Sequence, residues 1–443
     1  MRRGLSLLAA ALWLCGLPGR AEDGEPPPAE DWSLHGQITV TDQMHPPFRS
    51  PYQGAQSLSG KFQAKETTSA DLYAGVKLWR GAEAYADPEM GQGYGFDNAY
   101  GIASFPNGEA ATAGYLYPHV YMAKYFLRQV IGLGDETEAV EAGANQLAGS
   151  QPVDRLTLVA GRIYLPDYFD TNIYAHDARA NFTNWAIWES GAYDYPGNPR
   201  GYTNGAVVEL NQADWAVRYG VAENVASLGG WDLSPHVAAI LSHNLEGEGR
   251  YELDGQPGRL RLLAFLNYGP MGDYAEALSA VRRGIAAAEA MRRARADGHS
   301  KRGATFSLEQ ALSPDLGVFA RLSWNDGHTE DWSNTDIDQS VALGGQLKGT
   351  AWDRADDAVG LALAVSGLSS GHRDFLAAGG YTIQIGDGRL PHYGLEKAVE
   401  AYYAYKMSEP LTVSLDCQFI ANPGYNRDRG PVPVFGGRIH AEF

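Results

Sequence analysis

Phe435-Gly436-Gly437-Arg438-Ile439-His440-Ala441-Glu442-Phe443, the last nine residues of the chain, decide how the rest is read. Phe435, Gly437, Ile439, Ala441 and Phe443 alternate with Gly436, Arg438, His440 and Glu442, so a strand here has one apolar face and one charged face. A soluble edge strand can share that alternation, but an aromatic carboxyl-terminal residue on the apolar face is what the last strand of an outer-membrane barrel carries. The preceding segments repeat the pattern. Leu411, Val413, Leu415, Cys417 and Phe419 oppose Thr412, Ser414, Asp416 and Gln418. Upstream, Val399, Ala401, Tyr403 and Tyr405 alternate with Glu400, Tyr402, Ala404 and Lys406, and Ser408-Glu409-Pro410 makes the turn between them.

Carried to the N-terminus, the same rule predicts strands near 33 to 45, 69 to 79, 82 to 90, 119 to 131, 155 to 164, 203 to 210, 215 to 223, 236 to 253, 260 to 268, 303 to 312, 316 to 324, 338 to 350, 358 to 367, 395 to 407, 411 to 420 and 432 to 443. The count is even, about sixteen strands of an all-β, transmembrane antiparallel barrel. If the last strand ends in the periplasm, short connections such as Arg80-Gly81, Asn211 to Asp214 and Ser408 to Pro410 fall on that side. Long polar segments, 46 to 68, 91 to 118, 165 to 202, 269 to 302, 325 to 337 and 368 to 394, collect outside. A soluble sandwich has no reason to segregate them. The connection 132 to 154 is the exception, long yet periplasmic, with a short helix expected over Glu136 to Leu147; another helix is expected over Arg282 to Ala296.

Composition agrees. Lys and Arg number 35 against 53 Asp and Glu, a net charge of −18, which makes nucleic acid an unsuitable partner. With 53 Gly and 25 Tyr against 2 Cys, the chain favours many short strands, and 44% hydrophobic residues exclude disorder. Arg2 and Arg3 before the apolar run Leu5 to Leu17, then Pro18, Gly19 and Ala21, form an export signal over 1–21. An acidic, Pro-rich stretch, 22–32, should be flexible, and the barrel domain occupies 33–443. Loss of Cys15 with the signal leaves Cys417 without a partner for an intrachain disulfide. Beyond Leu17 no apolar run is long enough for a spanning helix, so a membrane could be crossed only by strands.

Several segments also resemble a known family: Ser33-Leu34-His35-Gly36-Gln37, Tyr73-Ala74-Gly75-Val76-Lys77-Leu78-Trp79-Arg80-Gly81, Gly349-Thr350-Ala351-Trp352-Asp353-Arg354-Ala355-Asp356-Asp357, Glu400-Ala401-Tyr402-Tyr403, and Asn422-Pro423-Gly424-Tyr425-Asn426-Arg427-Asp428-Arg429-Gly430-Pro431. Together they look like the OprB-type carbohydrate-selective porins, over nearly the whole chain from Trp32 to Phe443. The resemblance implies a bacterial outer-membrane barrel of sixteen strands through which sugars diffuse inward without energy input. It leaves the sugar open.

With apolar residues facing lipid, the lumen receives Lys77, Arg218, Arg261, Arg321, Lys348, Lys406 and Arg438, and also Glu209, Glu400 and Asp416. Arg and carboxylate groups across a narrow pore offer charge-assisted hydrogen bonds to vicinal hydroxyls. Aromatic platforms for a sugar ring would come from 165 to 202, which holds Tyr168, Phe169, Trp185, Trp188 and Tyr195. Competing readings are structural: lumen charges pair and brace the wall, and aromatics form the interfacial girdle. Glu209 and Arg218, near-opposite on one hairpin, are fully explained by a salt bridge. Arg438 is expected about 13 Å into the lumen at about 3.3 Å per residue, with Glu400 and Asp416 holding its guanidinium at the narrowest part.

No enzyme, cofactor or metal signature appears. Gly91-Gln92-Gly93-Tyr94-Gly95 lacks the helix and Lys-Ser or Lys-Thr of a phosphate loop. The histidines, from His35 to His440, show no metal-ligand spacing, and His440 with Glu442 is only a pair facing one way. Two classes of function therefore compete: a sugar-diffusion channel, and a general or differently selective porin, for instance for anions. A soluble exported sugar-binding protein is the third. Partners expected of a porin are carbohydrate solutes, outer-membrane lipid and lipopolysaccharide, and the barrel-assembly machinery acting on the strand that ends in Phe443, with the barrel a monomer or homotrimer.

Overall fold

The computed structural model describes residues 27–443 apart from 111–113 and 237–239. The proposed signal, 1–21, lies outside the described residues. Strands β1 (Trp32–His45), β2 (Gln63–Trp79), β3 (Ala82–Gly93) and β4 (Tyr115–Gly132) are followed by a small separate hairpin of β5 (Thr137–Val140) and β6 (Gly149–Pro152). Then come β7 (Arg155–Tyr164), β8 (Tyr202–Asn211), β9 (Trp215–Glu223), β10 (Leu241–Leu253), β11 (Gln256–Gly269) and β12 (His299–Ala311). The last six are β13 (Leu316–Asn325), β14 (Gln339–Gly349), β15 (Arg354–Gly367), β16 (Glu396–Ser408), β17 (Leu411–Ala421) and β18 (Val432–Glu442). All but β5 and β6 join one closed antiparallel barrel, in which β1 pairs with both β2 and β18.

The sixteen barrel strands are those the alternation predicted, because a two-residue period against lipid is strongly enforced: a slip of one residue would turn every apolar side chain into the lumen. Leu415 is 68% exposed, Leu262 64% and Leu361 60%, and Val217, Leu322, Val341, Phe419 and Phe435 are exposed beside them. Such a belt suits hydrocarbon, not water. Trp32, Trp79, Trp215 and Trp324 stand exposed near strand ends, as an interfacial girdle requires. Several strands run further at the rims than the alternation reached, β2 from Gln63, β4 from Tyr115 and β12 from His299, while β10 begins at Leu241. Rim strands need backbone pairing but no lipid-facing residue, so the pattern fades first.

The β1–β18 ladder, from Gln37 opposite Glu442 to Met44 opposite Phe435, closes the barrel, and the terminal residue extends it. The Phe443 N–H donates to the Gly36 carbonyl at 2.9 Å, and the Gly36 N–H donates to the Phe443 carbonyl at 2.7 Å. The Phe443 ring lies over Gly36, where an added Cβ would sit 2.7 Å from it, so glycine makes room for the ring on the outer wall.

Three connections differ from expectation. Residues 136 to 147 form no helix: Thr137–Val140 is a strand, and Asn145 at φ +57° breaks any helical run. Arg282 to Ala296 is not one helix but the end of α2 (Tyr274–Arg282) and all of α3 (Ala287–Ala294), parted at Gly284 with φ +89°. The third departure matters most. Residues 165 to 202, containing the single-turn helix α1 (Trp185–Trp188), fold back into the barrel. Phe169, Phe182, Trp185, Ile187 and Tyr193 pack there against Val159, Val207, Phe265, Phe319, Ala362 and Tyr402 of the wall. A Cβ on Gly220 would lie 2.8 Å from the Phe169 ring, so the wall is recessed to admit it. One side of the barrel is thus filled with a packed apolar core.

Candidate functional site

The infolded segment is tied to the wall by buried charged side chains. Arg321 on β13, 1% exposed, donates to the carbonyls of Ile187 at 2.9 Å and Asp170 at 3.1 Å. Asp170 in turn accepts from the Ser190 N–H at 2.6 Å and hydroxyl at 2.7 Å. Glu400 on β16 accepts from the N–H groups of Thr183 at 2.6 Å and Asn184 at 2.9 Å. Arg438 on β18 donates to the carbonyls of Ala178 at 2.6 Å and Asn181 at 2.9 Å. Backbone groups that leave regular structure inside a barrel must find partners, and charged partners are the strong ones. Burial pushes the Glu189 carboxyl on this segment well above the carboxylate range, opposed by the Tyr164 hydroxyl that donates to it. Burial, then the neighbouring Arg321 charge, holds His176 below its usual value.

The other side stays open. A cavity of about 1290 Å³ runs between the segment and the wall of β1 to β4, lined from Glu409, Pro410 and Glu442 at one end to Ser333, Asn334 and Ile383 at the other. That exceeds the roughly 300–1,000 Å³ of ordinary ligand pockets. Ion pairs step along its wall: Arg128 with Glu83 at 2.5 Å, Lys124 with Asp87 at 3.4 Å and Asp167 at 2.9 Å, and Arg200 with Glu89 at 3.4 Å. Glu83 faces Arg128 and Asp87 faces Lys124 in the β3–β4 register, so strand pairing builds the ladder. Arg179 of the segment reaches across to Asp71 at 3.4 Å and Glu109 at 3.1 Å. Gln37 donates to Asp71 at 2.7 Å and to the Tyr73 hydroxyl at 2.6 Å. Tyr164, Trp185, Trp188, Tyr195 and Tyr202 supply aromatic faces. Ten lining carboxylates (Glu30, Asp71, Asp87, Glu89, Glu109, Glu141, Asp167, Asp177, Glu409, Glu442) oppose four cations (Lys124, Arg128, Arg179, Arg200).

The sequence-predicted residues divide sharply. Trp185 and Trp188 line the cavity. Arg321, Glu400 and Arg438 point inward but behind the segment, where they anchor it. Arg438 forms no ion pair with Glu400 or Asp416; two carbonyls and the Ser414 hydroxyl, at 3.4 Å, receive its hydrogens instead, correcting the expected triad. Asp416 accepts from Gln418 at 3.1 Å. Glu209 and Arg218 form the expected bridge, extended to Glu246 at 2.9 Å and Glu248 at 3.0 Å. Arg261, 2% exposed, joins Glu248 at 2.9 Å and Glu309 at 3.2 Å. These three are wall bracing. Lys77 is exposed at the rim and pairs with Asp31 at 3.5 Å. The channel's own charges, Asp71, Asp87, Glu89, Lys124, Arg128 and Arg179, were missed; the first five lie at inward positions of β2 to β4, and their alternation was the available signal.

Comparison with known proteins agrees with this architecture. The family described as "Carbohydrate-selective porin, OprB family" matches residues 55–443. No curated protein sequence matches the chain. Among solved structures, the high-pH form of Pseudomonas putida OprB is similar at TM-score 0.70 and 17% identity, covering 93% of this chain and 94% of that one. Its low-pH form is similar at 0.51 and 12%, covering 93% of each. The outer membrane channel DcaP of Acinetobacter baumannii is similar at 0.50 and 9%, covering 93% and 97%. At such identities these structures speak for the fold, and the family match carries the rest: this chain belongs to the OprB family of carbohydrate-selective porins, an outer-membrane channel and not an enzyme.

Proposed function

We propose that neutral mono- and small oligosaccharides such as glucose diffuse passively into the periplasm along the wall of β1 to β4, and that the acidic lining turns anions away. The lining of the cavity along β1 to β4 carries this reading: carboxylates and guanidinium groups for hydroxyls, with tyrosine and tryptophan faces for the apolar side of a ring. Ten carboxylates against four cations count against the anion-selective alternative. Assembly proceeds through the last strand, whose Phe443 pairs with Gly36 at the end of the seam that closes the barrel. The route is tested by Gln37→Cys on β1, in a Cys417→Ser background. A bulky thiol reagent on that cysteine should abolish glucose flux into liposomes. Undiminished flux after complete modification would place the route elsewhere.

A further inference from the structure

At the outer end of the barrel, Asp331 and Asp338, from the connection between β13 and β14, meet His372 on α4 (Ser370–Ala377). We propose that these three side chains bind one divalent metal ion of the zinc class, pinning together the connections over the channel's outer mouth. One carboxylate oxygen from each aspartate and one imidazole nitrogen lie within 4.8 Å of one another. Tetrahedral zinc with bonds of about 2.0–2.2 Å holds its ligand atoms about 3.3–3.6 Å apart, so ligation closes a pair near the 4.8 Å limit by a little over 1 Å. All three residues are buried, at 1%, 2% and 0% exposure.

Each also keeps a buried polar atom without a hydrogen-bond partner: Asp331 Oδ2, Asp338 Oδ1 and His372 Nε2. Their remaining atoms are engaged. Lys301 Nζ lies 2.5 Å from Asp331 Oδ1, and Asp338 Oδ2 accepts from the Ser369 N–H at 2.7 Å and lies 3.2 Å from His372 Nδ1. Tyr274 stacks on the imidazole at 4.7 Å between centroids and fixes its plane. The local charge also calls for a cation. Asp194 and Asp336, both 0% exposed, stand near the same cluster, and these four buried carboxylates face one ammonium, Lys301, and one imidazole, His372, which is a cation only when protonated. Buried carboxylates without a counter-charge are costly, and a divalent ion supplies what Lys301 does not. An imidazole in the ligand set favours zinc over calcium, which takes six to eight oxygens. No spacing in the sequence announces the site, because its ligands come from two different connections.

The site would act on the pore through its neighbours: Ser333 and Asn334, between the two aspartates in sequence, and Ile383 and Gln384, in the connection that carries α4, line the cavity's outer end. The test uses tag-free full-length protein in detergent, stripped with chelator, dialysed against zinc and assayed for metal by mass spectrometry. The expected result is about one zinc per folded wild-type chain, kept against about a hundredfold excess of calcium, and a drop of about tenfold or more in His372→Gln and Asp338→Asn proteins that still run as heat-modifiable barrels. Zinc should also slow proteolysis within 368–394 in the wild type. Less than about a tenth of a zinc per folded wild-type chain, unchanged zinc in folded His372→Gln, or displacement by calcium would overturn the proposal.

Discussion

Arg438→Ala separates an anchor from a pore-lining group. The guanidinium is 4% exposed and outside the cavity lining, yet it holds the carbonyls of Ala178 and Asn181 at 2.6 and 2.9 Å. Asp177, Ala178 and Arg179 line the channel on the opposite side of that stretch. Hydrogen bonds to a charged group contribute about 1.5–3 kcal/mol each, and a carbonyl left buried without a partner costs about 1–3 kcal/mol. Removing the guanidinium also removes a desolvated charge, which offsets several kcal/mol in the barrel as a whole. The docking of residues 177 to 182 should therefore weaken by about 2–4 kcal/mol while the barrel keeps its heat-modifiable band. Since about 1.4 kcal/mol is tenfold in an equilibrium, the segment's detached state becomes roughly a hundredfold more populated. In planar bilayers the variant should show larger and noisier single-channel currents than the wild type. Unchanged conductance and unchanged noise in a correctly folded variant would refute the assignment of Arg438 as the clamp on this segment.

Arg179→Ala removes the one side chain that spans from the segment to Asp71 and Glu109, so conductance and cation preference should both rise, measured as reversal potential in a salt gradient. Deletion of Phe443 removes the backbone pair with Gly36 and the ring above it; export should continue while the folded, heat-modifiable band in outer membranes falls several-fold. His176, held below the usual value of 6.5 by burial and Arg321, binds fewer protons folded than unfolded in the window below 6.5. Its contribution to segment docking is complete above that window and lost as pH falls through it, so wild-type current noise should rise from pH 7.5 to 5 and the rise should shrink in His176→Gln.

What the sequence disclosed follows from which constraint is periodic. Lipid contact acts on every second residue, so Leu411 to Phe419 and Phe435 to Phe443 announce their strands without help from tertiary structure. The infolded segment obeys no period. Its Trp185, Phe182 and Tyr193 were indistinguishable in sequence from aromatics in an outer loop, and only packing shows them filling the barrel. A signal was nevertheless present on the wall: Leu262-Leu263-Ala264-Phe265-Leu266 is apolar on both faces, as a strand buried on both sides must be, whereas β2 and β3 place Ser69, Asp71, Glu83, Asp87 and Glu89 inward. Comparing inner-face polarity around the barrel would have located the open side. Choosing lumen residues by charge alone selected Arg321, Glu400 and Arg438, because an anchor and an eyelet residue share the same strand position and differ only in what the infolded segment brings to them.

An acidic wall that passes sugars and excludes anions can be read out in flux into liposomes holding the purified protein, with glucose, glucosamine and gluconate compared at equal concentration and low salt. These solutes are of similar size and differ chiefly in charge. Glucose and glucosamine should pass, and gluconate should lag glucose by about tenfold, the lower end of what a charge-lined passage produces. Gluconate flux equal to or faster than that of glucose would show that the wall does not turn anions away.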